Sequence, residues 1–132
     1  MKLRAIAAVV HRDGRVLLCR RPSRKRHGDL WEFPGGKARR GESMLSTLQR
    51  ELSEELGVTV LSVSGGSISL PDPGSGYAVE FVPTEILGDP EPLEHTEIEW
   101  VPVGEVTDYE LAPADGIFAE QHLYSLLDLQ GP

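Results

Sequence analysis

The segment GKARRGESMLSTLQRELSEELGV, residues 36–58, decides how the rest of the chain is read. Its centre has helical periodicity. At about 100° per residue, Leu45, Leu48, Leu52 and Leu56 fall on one narrow apolar stripe, and the spacing predicts a helix over 43–56 with that stripe against a sheet. Residues three and four apart are neighbours on a helix surface, so Glu51, Glu54 and Glu55 gather on an adjacent face. Three carboxylates so close repel one another. A cation turns the same arrangement into a coordination site, and Mg²⁺, a hard ion that prefers oxygen ligands, suits it.

The flanks fit this helix. Glu42 opens it, where a carboxylate suits the positive end of the dipole. Gly57 ends it, where a left-handed residue is commonly required. Arg50 is spaced to pair with a nearby carboxylate and hold it in position. Ahead of the helix, Pro34-Gly35-Gly36 can bring a backbone carbonyl close to an ion, because glycine has no side chain in the way. The competing reading is a solvated helix with acidic residues outside and caps at its ends. That reading leaves the coincidence of two glycines, Glu42, Arg50 and three glutamates at fixed offsets to chance.

Outward from the segment, periodicity predicts strands over 3–10 and 15–20, joined by the hairpin signal Asp13-Gly14. A second extended pair spans 58–70 and 77–87 across the turn from Pro71 to Gly76, and 98–103 is a further short strand. A last helix is expected over 115–129, with Ala119, Leu123, Leu126 and Leu127 on its apolar face. Strands interrupted by one helix and closed by another predict an α+β fold, a mixed sheet between helices. Tyr77 and Phe81 share one face of their strand, and they read first as core or sheet-surface residues, as Trp31 and Trp100 do. His11, His27, His95 and His122 have no metal-ligand spacing.

Composition bounds the function. The 132 residues suit one domain, 1–132. Thirteen basic against twenty-one acidic side chains give a net charge of −8, which argues against a nucleic-acid polymer as partner. An anionic substrate would need a divalent cation to change the local sign of the carboxylates. The lone Cys19 fits a reducing compartment, and the apolar run 5–10 is far below the roughly 20 residues that span a bilayer. The expectation is a cytoplasmic protein without membrane association, monomeric or homodimeric. Other phosphate-binding signatures fail: Gly36 and Gly41 have Walker-like spacing, but Glu42 follows where Lys-Ser/Thr is needed.

The pattern of Gly36, Glu42, Arg50-Glu51-Leu52, Glu54-Glu55 and Gly57-Val58 resembles the Nudix box, the signature of enzymes that hydrolyse a diphosphate linked to another moiety. Further stretches extend the likeness to the MutT type, which hydrolyses nucleoside triphosphates to monophosphate and pyrophosphate. They are the run from Leu30 to Lys37, Glu94-His95 before Trp100, and Leu111-Ala112-Pro113-Ala114-Asp115. The resemblance implies a Nudix α/β/α sandwich, a nucleoside triphosphate substrate, and Mg²⁺ as cofactor with Mn²⁺ as a substitute. It implies that the Gly35 carbonyl, Glu54 and Glu55 are metal ligands, with Glu51 and Glu94 as ligands or catalytic carboxylates; either of these two would activate the water. Glu94 also reads as a solvated acid within Glu91, Glu94, Glu97 and Glu99.

A basic counterpart lies in Arg20, Arg21, Arg24, Lys25 and Arg26. Arg21, which ends a strand near the box, is the candidate to hold a triphosphate, and Lys37 is a second. Arg24, Lys25 and Arg26 read first as a solvated loop. Asp115 is the candidate base-reading residue, since a carboxylate accepts hydrogen bonds from a base amino group; its plainer role is to cap a helix start. The Leu-Ala-Pro-Ala-Asp form looks more like enzymes acting on cytidine triphosphates or several bases than like strict oxidised-guanine specialists. Dinucleoside polyphosphates or nucleotide sugars as substrates, and a binding module without catalysis, are the alternatives.

Overall fold

The computed structural model describes residues 3–130. β1 (Leu3–Val9) leads through β2 (His11–Arg12) into β3 (Arg15–Arg20). The hairpin at Asp13-Gly14 forms with Arg12 opposite Arg15. Both turn residues have positive φ, 52° and 76°, as a type I′ turn requires. Next come β4 (Trp31–Glu32), β5 (Gly35–Lys37) and α1 (Met44–Leu56). They are followed by β6 (Thr59–Val63), β7 (Ile68–Pro71), β8 (Tyr77–Leu87) and β9 (Glu97–Pro102). A 3₁₀ turn (Val103–Asp108), α2 (Pro113–Gln121) and the short α3 (Leu123–Leu126) come last.

The strands form two sheets. The first has the order β5-β1-β8-β6, with β7 also on β8. It is mixed, because β1 runs parallel to β8 while the other pairs are antiparallel. The second is antiparallel, β2-β3-β4, with β9 along the other edge of β3. The continuous apolar runs of β1 and β3 are explained by burial on both faces. Ile6, Ala8, Leu17 and Cys19 pack with Leu48, Leu52 and Leu56 of α1; Ala7, Val9, Val16 and Leu18 pack with Phe118 and Ala119 of α2 and with Leu123. Helices therefore cover both sides of the strands, the expected α/β/α layering.

The leucine stripe of α1 is buried from Leu48 to Leu56. Its start is capped by Ser43, whose Oγ accepts the Ser46 N–H at 3.0 Å, and it ends on Gly57 at φ 68°, the left-handed cap anticipated there. Two elements differ from expectation. The extended run over 58–70 is split by Gly65-Gly66 into β6 and β7, both along the edge of β8 opposite β1; two adjacent glycines lack the side chains that make a strand worth pairing. The last helix starts at Pro113 and breaks at His122 (φ −132°). Phe118 and Leu123 both join one core cluster, yet five residues apart they would lie about 140° from each other on a continuous helix. The break at His122 restores them to one side. Among the described residues no helix is long and apolar enough to cross a membrane.

Candidate active site

The chain crosses between the two sheets at Phe33-Pro34, from β4 to β5, and the site is built around that crossing. On one side Trp31 bridges to Leu111, with Trp31 N–H on the Glu110 carbonyl and Ala112 N–H on that of Trp31, both at 2.8 Å. This clamps the segment before α2 beside β4 and brings the buried Asp115 to Phe33, whose N–H donates to Asp115 Oδ2 at 2.9 Å. Phe33 in turn stands edge-on to Phe118 and Phe81, with centroids 5.4 and 6.0 Å away. The crossing therefore rests on a rigid aromatic floor.

On the other side, β5 pairs with β1 so closely that a Cβ on Gly35 would sit 1.9 Å from the Ile6 carbonyl oxygen. A Cβ on Gly36 would instead meet the Glu51 carboxylate at 2.4–2.5 Å. The two glycines thus serve different ends: one permits strand pairing, the other makes room for a carboxylate. Arg50 fixes that carboxylate. Its guanidinium donates to Glu51, to both oxygens of Glu42 at 2.7 and 3.2 Å, and to the Lys37 carbonyl at 3.1 Å. Glu42 lies one residue outside the cap and acts as the anchor of Arg50 more than as a partner of the helix dipole. Its carboxyl is held down to about 2, first by Arg50 and then by the Arg39 N–H.

These elements enclose an acidic cleft of about 440 Å³ lined by Gly35, Glu51, Glu55, Glu94, Glu32 and His95, with Arg21, Arg24 and Lys25 on its basic side. Glu55 is 5% exposed. Burial pushes its pKa up to about 10, reinforced by Glu51, Glu32 and Glu94, and its Oε1 has no hydrogen-bond partner. Glu94 is brought over the cleft because Leu93 N–H is tied to the Glu55 carbonyl and Glu91 N–H to that of Leu56, at 3.1 and 3.0 Å. Among the described residues no three acidic, thiol or imidazole groups already converge as a closed ligand set. An orphaned, buried carboxylate oxygen among other carboxylates fits a hard divalent cation, the partner that would offset the repulsion.

Two residues of the cleft had no role assigned from sequence. Glu32 receives Arg21 Nη1 at 2.9 Å on one oxygen and His95 Nε2 at 3.0 Å on the other, while His95 Nδ1 stands 3.9 Å from Glu55 Oε1. A line of charged and polar groups, Arg21, Glu32, His95 and Glu55, therefore runs across it. Glu32 stood within the quoted run 30–37, but its partner His95 is 63 positions away, beyond the reach of any local pattern.

A second cavity of about 570 Å³ shares Arg21, Glu32 and Gly35 with the acidic cleft. Lys37, Tyr77, His27 and Asp115 line it further on. Lys37 Nζ lies 4.9 Å from the Tyr77 ring centroid. The Asp115 carboxyl is pushed well above the usual carboxylate range, first by burial and then by the Glu32 charge. Of the candidates from sequence, Gly35, Glu51, Glu55, Glu94 and Arg21 meet in the cleft, and Lys37 and Asp115 in the cavity beside it. Arg50 stands behind Glu51, and Glu54 is exposed one turn along α1. Among the aromatics, Phe81 is core and Tyr77 is a cavity wall.

A family model described as the NUDIX domain matches residues 1–122. The chain is 37% identical over 117 residues to the CTP pyrophosphohydrolase of Escherichia coli K12, covering 86% of this chain and 85% of that one. It is 40% identical over 60 residues to the 8-oxo-dGTP diphosphatase of Proteus vulgaris, covering 45% and 54%. The MutT NUDIX hydrolase of Burkholderia pseudomallei superposes with a TM-score of 0.71 at 26% identity, covering 91% of this chain and 97% of that one.

Proposed function

We propose, for a chain that belongs to the NUDIX domain family and is a Nudix pyrophosphohydrolase, that the substrate is a nucleoside triphosphate. Its products would be the nucleoside monophosphate and pyrophosphate. One observation carries this reading: an acidic cleft with an unpartnered buried carboxylate opens through Arg21, Glu32 and Gly35 into a cavity floored by Asp115. A phosphate chain in the first and a nucleoside in the second would span that junction. The names of the similar proteins, a CTP pyrophosphohydrolase and an 8-oxo-dGTP diphosphatase, support a cytidine or oxidised-guanine nucleotide.

In this reading the Gly35 carbonyl, Glu51, Glu55 and Glu94 of the cleft, with the exposed Glu54 one turn along α1, would hold Mg²⁺, or Mn²⁺ in its place, and the ion would supply charge neutralisation for the phosphates. Arg50 keeps Glu51 in position. Glu51 or Glu94 accepts the proton of the attacking water. Arg21 and Lys37 attract the phosphates; Arg21 is preoriented by Glu32 at 2.9 Å. Asp115, already anchored to Phe33 N–H, reads the base edge.

The test is a panel of normal and oxidised nucleoside triphosphates with Mg²⁺, scored for both products. Release of monophosphate with pyrophosphate, favouring cytidine or 8-oxoguanine nucleotides, is expected. Turnover confined to dinucleoside polyphosphates or nucleotide sugars would overturn the assignment, and no turnover at all would favour a binding module.

A further inference from the structure

Glu32 stands at the junction of the two cavities, lining both. In β4 it pairs with Cys19 of β3, and Cys19 pairs on its other side with Ile98 of β9. Cross-strand partners share a face of the sheet, and Cys19 and Ile98 pack with the leucines of α1. Glu32 is therefore turned toward the helix that carries Glu51 and Glu55. A carboxylate facing other carboxylates is driven away from them unless donors hold it. Both of its oxygens are held, one by Arg21 and one by His95.

The two donors differ in how firmly they stand. The Arg21–Glu32 pair is partly open to water, with side chains 27% and 16% exposed, and a partly exposed ion pair fixes little by itself. The His95 side chain is 6% exposed. Its backbone is stapled on both sides: Leu93 N–H donates to the Glu55 carbonyl before it, and Thr96 N–H to the Arg20 carbonyl after it, both at 3.1 Å. His95 is thus fixed to α1 at one end and to β3, beside Arg21, at the other. Of its two nitrogens only Nε2 is engaged, at 3.0 Å from Glu32 Oε2; Nδ1 lies 3.9 Å from Glu55 Oε1, outside hydrogen-bond range.

We infer that His95 is a positioning residue, which fixes Glu32 and through it aims the Arg21 guanidinium into the junction of the two cavities. The inference rests on the phosphate role proposed for Arg21. The rest of that guanidinium fits the role. Its Nε donates to the Arg26 carbonyl at 2.7 Å. The Arg26 side chain is itself tied to the turn between β7 and β8, donating to Asp72 Oδ2 at 3.1 Å and to the Pro73 carbonyl at 3.0 Å. Arg21 Nη2 has no hydrogen-bond partner among the described residues. With Nε and Nη1 anchored, a planar fork is left with donors to offer a phosphate oxygen and little freedom to lose in doing so.

The experiment uses the different reach of two amides. That of glutamine takes the place of the imidazole Nε2 and that of asparagine the place of Nδ1, so His95→Gln keeps a donor on Glu32 and His95→Asn does not. In the ligand-free chain, ¹⁵N spectra of the arginine side chains are recorded, with Arg21 assigned by its loss in Arg21→Gln. Native and His95→Gln proteins are expected to show separate Nη1 and Nη2 resonances for Arg21, and His95→Asn a single averaged one. With Mg²⁺ present, His95→Asn should weaken binding of inorganic pyrophosphate and raise KM for the best nucleoside triphosphate about tenfold, as for one hydrogen bond to a charged group. The change should fall in KM and not in kcat. Combined with Arg21→Gln it should bring no further loss, because the effect passes through Arg21; a residue that only supports the fold would add its own loss. Imidazole ¹⁵N shifts of the native chain, which need no variant, are expected to show a proton on Nε2. Separate Arg21 resonances in His95→Asn, averaged ones in the native chain, additive losses in the double variant, or a bare Nε2 in the native chain overturns the inference. The spectra need no ligand: if pyrophosphate does not bind and no triphosphate is hydrolysed, the proposed activity fails, while they still decide whether His95 holds Glu32 and Arg21.

Discussion

Glu55 carries the sharpest conflict at the level of single residues. It is nearly fully buried, its Oε1 is unpaired, and burial with its acidic neighbours raises its pKa to about 10. Without a cation the native state keeps this proton, whereas the unfolded chain gives it up above about 4.5. Holding it therefore costs stability at neutral and alkaline pH. Glu55→Gln removes that cost with a neutral group of the same shape. The metal-free variant is expected to be more stable than native at pH 8 by about 1 kcal/mol, roughly 3–6 °C. The gain should fade below about pH 4.5, as glutamate becomes neutral in both states. Its turnover should fall about a hundredfold or more, as expected when a group acting on the reacting charge is removed. Thermal melts in EDTA and initial rates in Mg²⁺ check the pair of effects; a variant that melts lower at pH 8 and keeps its activity contradicts the role given to Glu55.

At the level of elements, β5 and α1 are joined through two glycines whose replacements should behave differently. Gly36→Ala drives a Cβ into the mobile end of Glu51, so Glu51 shifts away from Arg50 and turnover drops at least tenfold with little change in melting temperature. Gly35→Ala meets backbone, the Ile6 carbonyl, at a φ of 155°, and should cost about 2 kcal/mol or more of stability. Circular dichroism melts and kinetics separate the two, and equal stability losses would contradict the division of labour. α1 was legible in its extent because its stripe and terminal glycine lie close together and obey a local period, whereas its cap is Ser43 and not the Glu42 that was expected to open it. The break at His122 was not legible, since it is imposed by Phe118 and Leu123 both seeking one core cluster. Nor was the pairing of Glu32 with His95, which only the folding of the loop from Glu91 to Leu93 against the end of α1 brings about. Periodicity finds elements; it does not find the tertiary contacts that bend them or that close a site.

For the whole molecule these local charges set how stability follows pH. The chain carries a net −8, and its perturbed carboxyls pull in two directions. Glu55 and Asp115 have raised values: the stability they contribute is full below their unfolded pKa values, near 4, and is lost as pH rises, for Glu55 up to about 10. Glu42, held to about 2 by Arg50, contributes stability that is present above about 4.5 and lost as pH falls toward 2. The two windows cross near pH 4, so the metal-free protein is expected to be most stable at about pH 4 and to weaken toward pH 8. Bound as proposed, Mg²⁺ would compete with the proton at the same cleft. It should stabilise little at pH 5 and strongly at pH 8, by about 2.7 kcal/mol at a concentration a hundred times its dissociation constant, and so shift the optimum upward. Melting temperatures from pH 4 to 9, in EDTA and in Mg²⁺, measure both curves. Parallel curves, with the same gain from Mg²⁺ at pH 5 as at pH 8, would mean that the ion does not bind where Glu55 holds its proton.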